Sequence, residues 1–430
     1  MSYDCLIVGG GLAGLTCGIK SAEAGLRTGI ISSGMSALHF SSGSFDMAGY
    51  DEQGGVVYRP MEHIAENLLK NERHPYARCG LETIREAMNF FKETLSREEL
   101  TLYNNGDDNH FHVTTMGTIK PTYFSQQTVF NERIKEAFSR RPKIALLNFR
   151  GFRDFYPDLA AANLRRTRLF KPFEIVTGMI DLPVYRRTSR NPHEFRSIDI
   201  ARIFDSDKYI QRIAHEIRAA AGDALFVGLP AFIGIMRYNR IYQRLSEITG
   251  LLLYEIPTLP PSILGMRIDT ALKSRFADLG GEFVAGDRVV GGEIIDGRVD
   301  HIHTENHGTT RLRSRYYVIS TGSFFSGGMR SEFNNIREPI FDLQMNREQE
   351  RNRWYSPSFF DSRSHPFLEY GVETSNDLHP YDSGGREIGN LFCCGALLAH
   401  YNPIREGCGG GVAISTAYRA SQIIIAGCGK

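Results

Sequence analysis

The run Tyr3-Asp4-Cys5-Leu6-Ile7-Val8 leads directly into Gly9-Gly10-Gly11-Leu12-Ala13-Gly14-Leu15. A short apolar strand, a tight glycine turn and a helix start form the dinucleotide fingerprint, and the chemistry it serves is phosphate binding at a helix N-terminus. Gly9 permits the turn, Gly11 lets the backbone approach a phosphate, and Gly14 lets the helix lie close on the strand. A second glycine-rich helix start, Glu406-Gly407-Cys408-Gly409-Gly410-Gly411, precedes a helix with Ala413, Ala417, Ala420 and Ile424 on one face. Gly409, Gly410 and Gly411 there offer bare N–H groups to a cofactor. Between the two lies a loop, residues 34–45, dense in hydroxyls and glycine, in which Ser36, Ser41, Ser42 and Gly43 are candidate cofactor contacts and His39 is the one titratable group. Gly322, in Thr321-Gly322-Ser323, and Gly395, after Cys393-Cys394, are further turns at strand ends.

Basic residues beside these pieces are candidates for an anionic substrate: Arg267, Arg337 and Arg405, the last with His400 close by. A guanidinium fork matches phosphate oxygens, and the competing reading is an ion pair with Glu338 or Glu406. His39 and His400 are the candidate bases for a hydroxyl proton. The fingerprint expects an acid at the end of the second strand to hold the adenosine ribose, and Ser32-Ser33 stands there instead. Ser32 grips a ribose more weakly than a carboxylate, so a shorter mononucleotide becomes a serious alternative to FAD or NAD.

The elements that must position these residues can be read from periodicity. Strands are expected at 3–8, 28–31, 143–148, 224–227 and 316–320, and helices at 12–24, 157–168 and 205–221. Ile84, Met88, Phe91 and Leu95 mark another helix. Ile268, Leu272, Phe276 and Leu279 mark one that opens near Ile263 and ends at Gly280-Gly281, and three runs at 282–290, 293–295 and 298–304 read as a β-meander. Gly228-Leu229-Pro230-Ala231-Phe232 reads as a loop able to line a cleft. The basic group Arg165, Arg166, Arg168, Arg186, Arg187 and Arg190 reads as a solvated face.

Composition bounds the rest. A chain of 430 residues suggests two or three lobes, and 50 Lys plus Arg against 49 Asp plus Glu gives a net charge of +1, which argues against nucleic acid as a partner. The 43 glycines exceed the usual ~7% share, so bare backbone is in demand. Seven cysteines without a CxxC spacing argue against a disulfide framework, a zinc site or an iron–sulfur cluster. The apolar stretch 251–264 is broken by Glu255, Pro257, Pro260 and Pro261, so no transmembrane segment is expected, and the N-terminus does not read as a signal peptide. A cytoplasmic chain is the expectation.

The glycine turn, the hydroxyl loop and the final helix together resemble flavoproteins of the two-dinucleotide-domain, fumarate reductase type. In that class the final helix points its N-terminus at the flavin pyrimidine edge, where its dipole favours electron acceptance. With Pro257-Thr258-Leu259-Pro260-Pro261-Ser262, Gly322-Ser323-Phe324-Phe325-Ser326-Gly327-Gly328 and Ile336-Arg337-Glu338-Pro339-Ile340, the chain resembles the anaerobic glycerol-3-phosphate dehydrogenase B-subunit family. The resemblance implies an α/β fold: a discontinuous Rossmann-like (GR2-type) flavin domain from residues 1–50, 262–330 and 386–430. An inserted α/β cap or substrate region would take residues 51–261 and 331–385. It implies FMN, with FAD as the alternative, and oxidation of glycerol 3-phosphate to dihydroxyacetone phosphate. It also implies two partners in the same complex, a larger FAD-bearing subunit, and a membrane-attached iron–sulfur subunit. Through these the chain would sit peripherally on the inner membrane face and pass electrons to quinone, then to fumarate or nitrate. The competing readings are a stand-alone FAD-dependent reductase and an electron-relay or assembly subunit.

Overall fold

The computed structural model describes residues 2–182, 191–361 and 363–429. The chain divides into two compact units. One comprises Met1–Ala37, Phe45–Glu98 and Asp269–Lys430; the other comprises Leu38–Ser44 and Glu99–Ile268. Residues 51–98 and 331–385, expected in the inserted region, group with the fingerprint in this division.

The first unit is built on a five-stranded parallel sheet ordered Glu282–Ala285, Thr28–Ser32, Ser2–Val8, Arg313–Ile319 and Leu391–Cys393. Thr28–Ser32 is buried along its whole length, and Cys5, Ile7, Val318 and Ile319 are closed to solvent. Burial on both faces is why these strands read as continuous apolar runs rather than alternating ones. From Ser2–Val8 the chain moves to one side of the sheet and later returns to the other. The end of the first strand is thus a topological switch point, where open α/β sheets bind ligands. The helices Leu12–Glu23 and Gly409–Gly427 pack on each other, and Leu81–Arg97 lies against the second of them. The expected meander is corrected. Glu282–Ala285 joins the parallel sheet beside Thr28–Ser32, and only Val289–Ile295 and Arg298–Thr304 form a hairpin.

The second unit carries a four-stranded parallel sheet, ordered Leu252–Ile256, Phe226–Pro230, Ile144–Phe149 and Ile175–Ile180. Helices Ile210–Ala221 and Tyr238–Thr249 bury Ile213, Ile217, Ile241 and Leu245 in its core. The segment read as a cleft loop is mostly the strand Phe226–Pro230, buried throughout, and the helix expected from Asp205 begins as a 3-10 turn, Asp207–Tyr209. Of the basic group, Arg165, Arg166 and Arg168 are exposed, whereas Arg186, Arg187 and Arg190 lie outside the described residues.

Arg267 is the largest fully buried side chain of the described residues. Its Nη1 and Nη2 donate to the Glu255 carboxylate at 2.6 and 3.0 Å, and its Nε and Nη2 donate to the Gly234 carbonyl at 2.9 and 2.7 Å. The guanidinium also stacks over the Tyr238 ring at 4.4 Å. This removes Arg267 from the candidate substrate contacts: every oxygen it can reach belongs to the core. Removing one partner of a buried pair strands the other charge. Arg267→Met should therefore cost about 3–5 kcal/mol in urea unfolding, and Arg267→Met with Glu255→Leu should cost much less. Equal losses in the two variants would show that the pair is not the source.

Candidate functional site

The fingerprint turn sits at the end of Ser2–Val8. Gly9 has φ +114°, and a Cβ there would stand 2.4 Å from the Ser320 carbonyl oxygen. Gly14 is tighter still, since its Cβ would lie 1.9 Å from the Gly9 carbonyl oxygen, so the helix rests on the turn itself. Gly11 is the N-cap of Leu12–Glu23; its conformation is extended, and no side chain caps the helix. A Cβ on Gly11 would meet only Ser36 Cβ, at 3.9 Å. An uncapped helix start with room beside Gly11 fits the phosphate of a flavin cofactor.

Around this turn the serines have their own partners. Ser32 is buried and its hydroxyl donates to the Gly34 carbonyl at 3.1 Å, so its hydrogen is used inside the turn. The Ser36 hydroxyl donates to Asp269 Oδ1 at 3.1 Å, and Asp269 Oδ2 accepts from Lys273 Nζ at 2.7 Å. Ser41, Ser42, Gly43 and His39 belong to the other unit. There Ser41 donates to the Leu38 carbonyl at 2.8 Å, and a Cβ on Gly43 would collide with Leu264 Cβ at 2.2 Å. His39 is half-buried, and its carbonyl accepts the Ser262 N–H at 2.8 Å.

The second glycine-rich start is Gly409–Gly427, whose N-cap Cys408 makes no side-chain cap. Gly411 is spent on packing: a Cβ would stand 2.0 Å from the Tyr76 hydroxyl, and its N–H donates to the Asp46 carbonyl at 2.8 Å. Gly410 and Gly409 have somewhat more room, with Asp46 N and Pro403 Cβ each at 3.2 Å from a built Cβ. The loop before them is fixed by Glu406. Its Oε1 accepts the Asn402 N–H at 2.8 Å, and its Oε2 accepts from His74 Nε2 at 2.9 Å and the Cys408 thiol at 3.3 Å. Burial works against the Glu406 charge, but these hydrogen bonds outweigh it and hold the carboxyl below its ordinary value. Burial, then the Glu406 charge, pushes the Cys408 thiol well up. His74, Glu406 and Cys408 have ligand-like atoms close together. Yet His74 Nδ1 accepts the Tyr76 N–H at 3.0 Å, which puts the ring proton on Nε2 and closes that atom to a metal. The cluster is a clamp on the loop.

Gly395 has φ +73°, and a Cβ there would stand 2.9 Å from Ala13 Cβ, joining the two helix starts by close packing. Gly322, φ +80°, turns the chain after Ser320, whose hydroxyl donates to the Val8 carbonyl at 3.1 Å. His400 Nε2 lies 2.8 and 2.9 Å from the two Glu373 oxygens, and that bond is the main cause of the lowered Glu373 pKa. The arginines are engaged elsewhere, and not by the acids considered from sequence. Arg337 pairs with Glu332 at 2.7 Å in an exposed contact, and Arg405 donates to the Glu52 carbonyl at 2.6 Å. Glu338 instead accepts the Ile340 and Phe341 N–H groups.

One polar cluster escaped the sequence reading. In the second unit, His110–Val113 pairs antiparallel with Ile119–Thr122, setting His112 opposite Lys120 and His110 opposite Thr122. His110 and His112 are 4% and 2% exposed, and both Nε2 atoms hydrogen-bond the Ser125 hydroxyl. His110 stacks on Phe130 with centroids 4.0 Å apart. Burial lowers His110 to about 3 and His112 well below its ordinary value, the latter helped by His110 and Lys120. Both Nδ1 atoms are buried without a partner. Ser125 has one hydroxyl hydrogen, so it donates to one imidazole and accepts N–H from the other. One orphan Nδ1 is then a donor and the other an acceptor. The signal in the sequence is His-x-His before Thr114-Thr115-Met116-Gly117, a strand with both histidines on one face.

The family model described as an FAD binding domain matches residues 4–412. The anaerobic glycerol-3-phosphate dehydrogenase B-subunit of Aliivibrio fischeri is 39% identical over 436 residues, covering 99% of this chain and 96% of that protein. The protein of that name from Vibrio cholerae serotype O1 is 37% identical over 427 residues, covering 99% and 97%. Among solved structures, 3-ketosteroid delta1-dehydrogenase from Sterolibacterium denitrificans aligns over 99% of this chain and 100% of that one, at 10% identity and a TM-score of 0.47.

The two buried imidazoles make stability depend on pH. Their folded pKa values lie below the unfolded value near 6.5, so the unfolded chain binds more protons, and their stabilising contribution is lost as pH falls from about 6.5 towards 3. The melting temperature should drop between pH 7.5 and 5, and the drop should shrink in His110→Phe/His112→Phe. Superimposable pH profiles would assign the acid sensitivity to other groups.

Proposed function

This chain belongs to the anaerobic glycerol-3-phosphate dehydrogenase B-subunit family, a family of flavin-linked dehydrogenase subunits, and on that premise we propose that it oxidises sn-glycerol 3-phosphate to dihydroxyacetone phosphate with bound FMN. The observation that carries the reading is the open, uncapped glycine turn at the end of the first strand, in a chain that aligns with these relatives almost end to end. The bound flavin supplies the acceptor for hydride from the secondary alcohol carbon. What supports FMN over FAD is Ser32, whose hydroxyl is used by Gly34 where a ribose-holding carboxylate would stand.

The chain's own task is to take the hydroxyl proton, and of the two candidates, His39 and His400, the latter is the better placed chemically. Glu373 holds the ring through Nε2, leaving Nδ1 to accept a proton and stabilising the cation that results. Arg337 and Arg405, the sequence's candidates for the substrate phosphate, are both engaged by protein groups. As the family resemblance implies, electrons leave through two partners, one FAD-bearing and one iron–sulfur and membrane-attached, then pass to quinone and fumarate or nitrate; cysteines without cluster spacing agree with this route. No helix among the described residues is long and apolar enough to cross a membrane, and attachment to its inner face would come through the iron–sulfur partner.

Acid release and mass analysis should give FMN near one per chain, and anaerobic mixing with glycerol 3-phosphate should bleach it. FAD would overturn the mononucleotide assignment; a bound flavin that stays oxidised would move substrate oxidation to a partner and leave this chain an electron relay. His400→Gln should slow bleaching by about 10²–10⁴-fold, the range for a lost general base. An unchanged rate would remove His400 from the reaction.

A further inference from the structure

We propose that Arg78 is the positioning residue of the Glu373–His400 pair: it fixes the chain just after Glu373, sets a positive charge beside that carboxylate, and through Glu373 aims the His400 ring. This deepens the function proposed above and rests on it for the role of His400 as base. All the residues concerned belong to the first unit. Arg78 lies on the short helix Pro75–Cys79, and its Nη1 donates to the carbonyls of Thr374 and Ser375, the latter at 2.6 Å. Those carbonyls belong to the two residues that follow Glu373. On the other side, the strand Gly371–Val372 pairs with Met345–Asn346, and the Glu373 N–H donates to the Gln344 carbonyl at 2.9 Å. Glu373 is thus held from both directions, and one of the two holds is a side chain.

The same helix also fixes the chain after His400. Its N-cap His74 hydrogen-bonds Glu406 at 2.9 Å, and Glu406 Oε1 accepts the N–H of Asn402, two residues beyond His400. Pro75–Cys79 therefore brackets the pair, its first end holding the segment that carries His400 and its last end the segment that carries Glu373. His400 needs such a frame, because its φ of +68° is a left-handed backbone that a residue with a Cβ keeps only where its neighbours impose it. Both Glu373 oxygens lie within 2.9 Å of Nε2, so the carboxylate's place sets the ring's direction. Charge points the same way. The His400 bond first, then, against burial, the charges of His400, Arg73 and Arg78 hold Glu373 below its ordinary value. Burial lowers Arg78 and Arg73 opposes its charge, whereas Glu373, then Tyr381 and Cys79, favour the cation. Its bonds go to neutral carbonyls, so Glu373 is the leading charge it answers.

The test has two arms on the full-length chain with its bound flavin, and flavin content and circular dichroism are recorded for each variant. One arm is anaerobic bleaching by glycerol 3-phosphate. The other is the imidazole nitrogen resonances of protein isotope-labelled at histidine, with the His400 signal assigned by its loss in His400→Gln. Arg78→Met should slow bleaching by about 10–100-fold, the cost of a misaimed reacting group, while the Kd for glycerol 3-phosphate stays within about 3-fold. In a His400→Gln background it should slow bleaching no further, because a residue that acts through His400 then has nothing to act on. Arg78→Lys, which keeps the charge and a donor, should recover most of the rate. In the spectrum, Arg78→Met should remove the shift that marks the bond from His400 Nε2 to Glu373. A His400 signal unmoved in a folded Arg78→Met overturns the proposal whatever the rate, and so does an equal further loss in the His400→Gln background, the mark of a general structural effect. If the wild-type flavin does not bleach, the function proposed above fails, and the His400 signal still decides whether Arg78 aims the ring. If Arg78→Met fails to fold, Arg78→Gln, whose amide can still donate to one carbonyl, decides by the same spectrum.

Discussion

The contact on which the first unit depends is the approach of a helix to the strand that feeds it, close enough for Gly14 to rest on the Gly9 carbonyl oxygen. A Cβ at 1.9 Å is forbidden, so the approach exists only because residue 14 is glycine. Its consequence is that the first turn of Leu12–Glu23 begins directly beyond the strand, with its N–H groups and positive dipole end at the switch point of the sheet. Gly9, with its positive φ, is what turns the chain sharply enough to do this. What this place offers a ligand is backbone geometry rather than side chains, and several of the serines nearby are spent on internal hydrogen bonds.

The second helix start solves the same problem with different means. Gly409–Gly427 also lacks a side-chain cap, but the loop before it is held by a buried carboxylate rather than by a glycine turn alone. Glu406 accepts from a backbone N–H, an imidazole and a thiol, and its own carbonyl accepts the Gly49 and Tyr50 N–H groups at 2.8 and 3.1 Å. A carboxylate so fully satisfied stays ionised despite burial. The segment that includes Asp46 and Met47 then lies along Gly410 and Gly411, so glycine here serves the chain's own packing as much as a ligand.

What the sequence made legible was what backbone constraint dictates. The strand–turn–helix at Ser2–Glu23 and the helices carrying Ile84 or Ile268 follow from glycine spacing and apolar period, and the structure has them within a residue or two. Pairing was not legible, because it is decided by distant neighbours. Glu282–Ala285 looks like the first arm of a meander but hydrogen-bonds Thr28–Ser32, more than two hundred residues away. The same holds for the site: Gly11 could be read, whereas the partners of Arg337, Arg405 and His400 could not, since Glu332, Glu52 and Glu373 carry no motif.

Two buried polar clusters of the second unit show how satisfaction separates structure from chemistry. Arg267 and Glu255 are closed to solvent, and the donors of Arg267 are met by Glu255, Gly234 and Thr128. Such a network holds a core together and has nothing left to offer a ligand. His110, His112 and Ser125 are buried as deeply, but their hydrogen bonds stop halfway, with an Nδ1 left over on each ring. Leaving buried polar groups unmet costs about 1–3 kcal/mol apiece, and a fold that needed only stability could fill the same face with apolar side chains. Here the half-met imidazoles share a face of the hairpin with Lys120, which stands directly opposite His112, so the histidine pair stays neutral beside a cation.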